Sequence, residues 1–487
     1  MLGKAELDIR LILNIMGFLL MMEGIFMLLG LPFALYYRDP NAWTLPLSFL
    51  ITSGTGLLLW YLTRHKSRVQ INKREGFLVV SMAWFITSLF GTLPYLISGA
   101  IPSFTNAFFE TMSGFTTTGA TILTDIEVLP KGILFWRSMT HWIGGMGIIV
   151  LSVAVLPFLG IGGMQLYSAE MPGITKDKLH PRITETAKRL WGIYLILTLA
   201  QTALLMLGKM NLFDSLCHAF GTMATGGFST KNDSIAGFSP YIQYVIALFM
   251  ILAATNFTLH YIAFLGRFGK VWRNEEFRKY IYLLGIVTAI VTILLIWKAG
   301  ISGEKAFRDA LFQVVSIVTT TGYITSDYLA WPGTIWFFIF LLMFIGGMSG
   351  STGSGTKVVR QMLLFKTAGK EMKRAMHPQG VIPVRLNNEA VSQDIIFKVM
   401  AFIQLYILIF AFGVMVMAFL GLDFETAIGA TIATLGNIGP GIGEVGPTGN
   451  YAFIPTPGKW FLSLLMLLGR LELFTLLILF SSAFWKK

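Results

Sequence analysis

Four short segments of this 487-residue chain set hydroxyl residues beside a glycine. They read Thr116-Thr117-Thr118-Gly119-Ala120, Met223-Ala224-Thr225-Gly226-Gly227, Thr319-Thr320-Thr321-Gly322-Tyr323 and Ala433-Thr434-Leu435-Gly436-Asn437. The chemistry open to such a set is dehydration of a small cation, because main-chain oxygens can replace the water shell that the ion gives up. Glycine suits this task, since it takes backbone angles closed to other residues and lets strands crowd together. A single segment of this kind reads as a helix C-cap glycine. Four, each directly after a half-length apolar helix, point to a pore. Matching them on their glycines pairs Gly119, Gly226, Gly322 and Gly436, and leaves Leu435 where the other three carry Thr.

A second feature is Gly346-Gly347-Met348-Ser349-Gly350-Ser351-Thr352-Gly353-Ser354-Gly355-Thr356, too rich in glycine to hold a helix. It falls between apolar 334–345 and a helix-prone segment from Val358. Non-helical backbone at membrane depth must be buried in protein or line water, so from the residues alone a gate and an inert kink are both open. Gly350 and Gly355 have phosphate-loop spacing, but Thr356 separates Gly355 from Lys357 and no strand precedes them, which excludes that motif. The third feature is Arg470, deep in the last apolar run. An ionisable residue there is a functional candidate, with a structural pair to an acid on a neighbouring helix as the alternative. Glu472, two positions on, lies on another helix face.

Weaker patterns accompany these. Glu110, Asp214, Asp309 and Glu425 precede the four glycines and are expected near the starts of the short helices, where carboxylates cap free N–H groups. Asp125, Asp233, Asp327 and Glu444 follow the glycines, either gathering cations at an outer mouth or serving as ordinary solvated loop charges. Asn256 and His260 share one face of their span and suit an interhelical hydrogen bond. Glu23 sits in the first span with no partner visible in the sequence.

The elements that must position these residues are membrane helices. The chain is 55% hydrophobic and 13% charged, against roughly 25% charged in soluble domains, and soluble folds are excluded. Long apolar stretches occur near 11–37, 45–63, 76–98, 133–160, 190–207, 241–266, 280–297, 334–348, 395–420 and 460–484, giving ten expected spans. Shorter apolar segments, Phe104–Phe115, Leu212–Met223, Ala306–Thr319 and Phe424–Ala433, lie between full spans and suit re-entrant helices. The unit of span, short helix, glycine loop and span thus recurs four times at near-constant separation, which implies pseudo-fourfold symmetry. The first two spans stand outside it. The net charge of +12 sits in short loops between apolar runs, which argues against nucleic acid and places both termini in the cytoplasm. Cys217, the one cysteine, excludes a disulfide framework, and no cleavable signal is expected.

On these loops and the glycine-rich segment, the chain resembles the Trk/Ktr/HKT superfamily of potassium transporters, above all its TrkH-type bacterial membrane subunits. The resemblance implies an all-α polytopic membrane protein with a two-helix extension (1–70) and four pore repeats (71–165, 180–272, 275–375 and 388–487) around one pore. It implies K⁺ sites, with Rb⁺ accepted, on backbone oxygens of Thr117–Ala120, Ala224–Gly227, Thr320–Tyr323 and Thr434–Asn437. It also implies a gate at Gly346, Gly347, Gly350, Gly353 and Gly355, with Arg470 in the permeation path. Expected partners are a second copy, a TrkA-like nucleotide-binding ring and the lipid bilayer of the bacterial inner membrane. No organic cofactor and no enzyme activity are expected. A sodium- or proton-coupled symporter and an intramembrane enzyme built on Asn256 and His260 are the rival readings.

Overall fold

The computed structural model describes residues 7–64, 72–147, 183–301, 303–380 and 382–485 and is predominantly helical. Among these residues, six helices are long and apolar enough to cross a bilayer: Ile9–Tyr36, Thr44–Leu62, Arg74–Ser98, Ala187–Leu207, Glu275–Ala299 and Gln393–Phe419. Two further spans are broken. Pro240–Ala253 meets Phe257–Phe264 at 102°, and Thr456–Arg470 meets Phe474–Phe480 at 113°.

Counting each bent pair as one span, the described residues hold eight spans, against ten expected for the whole chain. The stretch near 133–160 supplies the helix Lys131–Gly145, capped by Met146, and its residues 148–160 lie outside the described ones. The stretch near 334–348 gives only Gly333–Leu342, because the chain leaves the helix and turns at Gly346 with φ +99°. Of the basic loop residues that set the expected orientation, Lys66, Arg68, Lys176, Lys178, Arg182, Lys486 and Lys487 also lie outside the described residues.

Local chemistry starts the helices where they start. Asn72 and Glu75 close a reciprocal capping box on Lys73–Phe90, Asn274 caps Glu275–Ala299, and Ser239 with Pro240 opens Pro240–Ala253. The first and second spans cross where two glycines meet. A Cβ on Gly17 would lie 2.6 Å from the Gly56 carbonyl oxygen, and one on Gly56 would lie 2.6 Å from that of Gly17. Close backbone contact through small residues is the usual glue between helices in lipid.

Four short helices sit inside this frame: Phe104–Phe115, Leu212–Met223, Gly303–Val318 and Phe424–Leu435. At 12 to 16 residues none can cross hydrocarbon. Asn211 and Asp423 cap two of them through side-chain oxygens. A small hairpin pairs Arg385–Leu386 with Glu389–Ala390, turning at Asn387 and Asn388, both with positive φ. The ammonium of Lys366 holds it by donating to the Arg385 carbonyl at 2.7 Å.

Candidate functional site

The four short helices end in the same way, and the ending defines one register. The N–H groups of Thr118, Gly226, Thr321 and Ile438 each donate to the carbonyl five residues back, at Ser113, Gly221, Ser316 and Ala433. The residue before each, Thr117, Thr225, Thr320 and Asn437, is left-handed, with φ between +51° and +58°. This is a Schellman termination in which no glycine takes the left-handed position. Threonine there costs on the order of 1–3 kcal/mol, and strain of that size persists only where the surroundings impose it.

Two residues after each left-handed position comes a glycine with φ near +80° or above: Gly119, Gly227, Gly322 and Gly439. These four approach one another in a closed cycle. A Cβ on Gly119 would lie 2.1 Å from the Gly226 carbonyl oxygen, one on Gly227 2.0 Å from that of Thr321, one on Gly322 1.9 Å from that of Ile438, and one on Gly439 2.8 Å from that of Thr118. No side chain fits at any of the four. The same glycines line one end of a cavity of about 220 Å³.

The register differs from the sequence expectation in two segments. Gly226 precedes the glycine equivalent to Gly119. Gly436 is the right-handed C-cap of its helix, so its segment continues through Asn437, Ile438 and Gly439. Thr434 and Leu435 belong to the helix itself, and Ala224 is a C-cap like Thr116. Ala120, Phe228, Tyr323 and Pro440 follow the four glycines. Thr117, Thr225, Thr320 and Asn437 stand two residues before the four ring glycines, but Thr434 stands equally before Gly436, so in the fourth segment only Asn437, a residue tolerant of the left-handed turn, was a usable signal.

The glycine-rich segment lies directly beneath. The Ser354 N–H donates to Thr320 Oγ1 at 2.9 Å, and Thr352 Oγ1 donates to the carbonyls of Met223 and Ala253 at 3.0 Å. Gly346, Gly350 and Gly355 have positive φ, whereas Gly347 and Gly353 are simply crowded by neighbours. Ser349 N–H is held by Glu276 at 2.8 Å, and the Lys357 ammonium donates to the Gly353 carbonyl.

Arg470 ends the first half of the last span and reaches into this layer. Its guanidinium donates to the carbonyls of Thr352 at 2.9 Å, Gly144 at 2.6 Å and Gly145 at 3.0 Å. Glu472 pairs instead with Arg360, at a break where Glu472 and Leu473 both have positive φ.

Other sequence expectations land elsewhere. Asp214 and Glu425 lie in first turns, but Glu110 and Asp309 sit mid-helix and face the strands that follow the glycines. Glu110 accepts from Thr121 and Ile122, and Asp309 from Thr325. Asp125, Asp233, Asp327 and Glu444 do not line the cavity, whose charged lining residues are Arg137 and Lys231. Asp327 caps the N–H of Leu329 at 2.9 Å. Asn256 caps the second half of its broken span, and His260 Nε2 meets the Leu252 carbonyl at 2.8 Å, so both serve the break. Glu23 is fully buried, and neither carboxylate oxygen has a hydrogen-bond partner among the described residues.

Fold and site together define a multi-span helical membrane protein in which four short helices deliver strained main chain to one closed ring. The model of the TrkH family, described as cation transport proteins, matches residues 46–487. The chain is 43% identical to the Trk system potassium uptake protein TrkH of Escherichia coli over 98% of this chain and 99% of that one. It is 41% identical to the protein of the same name from Halomonas elongata, over 99% and 100%. The crystal structure of the potassium transporter TrkH from Vibrio parahaemolyticus superposes with a TM-score of 0.88 at 39% identity, covering 98% of this chain and 100% of that one. The chain belongs to the TrkH family.

Proposed function

We propose that this chain carries K⁺ into a bacterial cell through the ring formed by Thr118–Gly119, Gly226–Gly227, Thr321–Gly322 and Ile438–Gly439. The observation that carries the reading is the closed cycle in which each glycine meets the carbonyl of the next segment. Oxygens brought together in this way can replace the water of a monovalent ion, and the C-terminal ends of four short helices add partial negative charge toward the same place. With one glycine per strand the ring offers few dehydrated sites, and its preference for K⁺ over Na⁺ is moderate.

The repeats expected at 71–165, 180–272, 275–375 and 388–487 are the units that surround this path, with the 1–70 extension outside them. The segment Gly346–Thr356 and Arg470 close the path from below. The guanidinium places a fixed positive charge under the ring, and the Ser354 bond to Thr320 ties the segment to it. Opening requires both sets of contacts to break. The chain works as a homodimer in the inner membrane with both termini cytoplasmic, regulated by a TrkA-like cytoplasmic ring that binds the nucleotide. The names of its relatives, which place them in a Trk system, support partner subunits.

Rubidium uptake into liposomes containing wild type and Gly119→Ser tests this reading. Altered selectivity or abolished uptake in the variant is expected. Wild-type uptake of both Rb⁺ and Na⁺ by Gly119→Ser would contradict it. Adding and omitting the cytoplasmic ring tests regulation, and identical nucleotide responses in the two preparations would rule it out.

A further inference from the structure

Glu110 and Arg137 form the most deeply buried ion pair among the described residues, with side chains 0% and 2% exposed and Nε to Oε1 at 2.8 Å. Neither is spent on its own helix. Glu110 accepts from Thr121 Oγ1 at 2.8 Å and from the Ile122 N–H at 2.9 Å, the strand that leaves Gly119. Arg137 donates to the Ser229 carbonyl at 3.0 Å and lies flat over the Phe228 ring at 3.5 Å, the strand that leaves Gly227. Phe228 is pressed from its other neighbour by His141, stacked at 4.0 Å, whose Nδ1 meets the Gly114 carbonyl at 2.7 Å.

Two other short helices also hold their own strands through a carboxylate, Asp214 accepting from Thr230 Oγ1 at 2.6 Å and Asp309 from Thr325 Oγ1 at 3.2 Å, but among the described residues neither carboxylate has a salt-bridge partner. At the place equivalent to Glu110, six residues before the C-cap, stand His218, Gln313 and Ala430. His218 Nε2 is 2.9 Å from Ser229 Oγ, and Gln313 donates to the Ser326 carbonyl at 3.2 Å. Among the described residues Glu110–Arg137 is thus the buried ion pair that joins the first two strands, and the exposed Glu127–Lys231 pair joins the same two segments farther along the chain.

We propose that Glu110 and Arg137 are positioning residues for ion selection, a brace that fixes the spacing of the first two strands. This rests on the reading of the ring as an ion filter. A carbonyl ring prefers one ion size only as far as its oxygens are held apart against collapse onto a smaller ion. Charge-assisted hydrogen bonds are the stiffest non-covalent means of holding them. Arginine is required because its planar fork reaches Glu110 and Ser229 at once while stacking on Phe228; an ammonium offers charge without that geometry.

Uptake of radioactive rubidium and sodium into liposomes, measured for wild type, Glu110→Gln, Arg137→Lys, Arg137→Gln, Thr121→Val and Gly119→Ser, tests the brace. The Rb⁺ to Na⁺ ratio is expected to fall about tenfold in Glu110→Gln and in Arg137→Lys, the scale of one lost bond to a charged group. In Thr121→Val, which leaves the ion pair intact, the fall is smaller. Rescue by lysine, or a wild-type ratio in Glu110→Gln, would overturn the brace. If loss of a buried charge prevents folding, Thr121→Val decides, and an unchanged ratio there overturns the brace by itself. An equal rise of both fluxes in Arg137→Gln would assign Arg137 to the field of the cavity instead of to the strands, and would also overturn it. Gly119→Ser separates the two readings: if it shifts the ratio while the brace variants do not, the filter stands and the brace falls; if it shifts nothing, the filter reading fails first.

Discussion

The guanidinium of Arg470 donates to the main-chain carbonyl of Thr352 at 2.9 Å, joining the last span to the glycine-rich segment across 118 residues of sequence. The same group holds Gly144 and Gly145. One side chain therefore ties together three pieces of chain directly under the ring.

Removing that tie should free the segment. Arg470→Ala is expected to raise rubidium flux by about tenfold, the kinetic equivalent of losing one charge-assisted hydrogen bond. Flux assays in liposomes check this, and unchanged or lower flux in folded protein would deny Arg470 a barrier role.

The register of the fourth segment predicts a contrast between two glycines three positions apart. At Gly439 a Cβ would meet the Thr118 carbonyl at 2.8 Å, and φ is +98°; Gly436 is a right-handed helix cap whose Cβ would meet Ile432 O and the flexible end of Ile438 at 2.9 Å. Gly439→Ala should change the Rb⁺ to Na⁺ flux ratio, whereas Gly436→Ala should lower thermal stability and leave the ratio alone. Equal effects on the ratio would favour the original pairing through Gly436.

The break after Arg470 is held from outside the helix. Glu472 and Leu473 keep left-handed backbones while Glu472 pairs with Arg360, whose guanidinium lies 4.1 Å from the centre of the Phe402 ring. Glu472→Gln should destabilise the protein by about 1–3 kcal/mol, leaving a partly buried arginine short of its partner. Thermal unfolding in detergent measures this, and an unchanged midpoint would show that the break holds without the pair.

Beside the cavity that Lys231 lines, Lys231 and Glu127 pair at 2.9 Å with side chains 38% and 43% exposed. The Lys231 hydrogen bond holds the Glu127 carboxyl below its ordinary value, and Glu127 raises that of Lys231. The carboxylate part of this stability is present above the unfolded value of Glu127 and is lost as pH falls through its lowered folded value. The ammonium part is present below the unfolded value of Lys231 and is lost as pH rises through its raised folded one. An exposed pair is worth ~1 kcal/mol or less, so Glu127→Gln should lower the unfolding midpoint slightly at neutral pH and not at all in acid. A gap that persists in acid would rule the pair out as its cause.

Much of this architecture was legible in the chain. The bounds of Phe104–Phe115 and Leu212–Met223 follow from apolar runs too short to span a membrane, and the glycine-rich segment and Arg470 declare themselves by being costly in lipid. What was not legible has physical causes. The left-handed positions fall on Thr117, Thr225 and Thr320, a residue type that avoids them unless tertiary contacts pay the strain, so alignment on the most obvious glycine slipped by one residue in the second segment and three in the fourth. Asn437 tolerates that conformation and was the available clue. The breaks at Asn256 and Glu472 contain neither Gly nor Pro; the first is held by the glycine-rich segment, which bonds Ala253, Ala254 and Phe257, and the second by Arg360. Glu110 and Asp214 both accept from a threonine of the strand after their own glycine, but Glu110 does so from mid-helix and is paired with Arg137, which no local pattern announces.

Anomalous diffraction from crystals grown in rubidium tests the ring itself. A rubidium peak is predicted between Gly119, Gly227, Gly322 and Gly439, with the carbonyl oxygens of Thr118, Gly226, Thr321 and Ile438 among its ligands. An ordered ring with no alkali metal between its strands, in protein that transports rubidium, would contradict it.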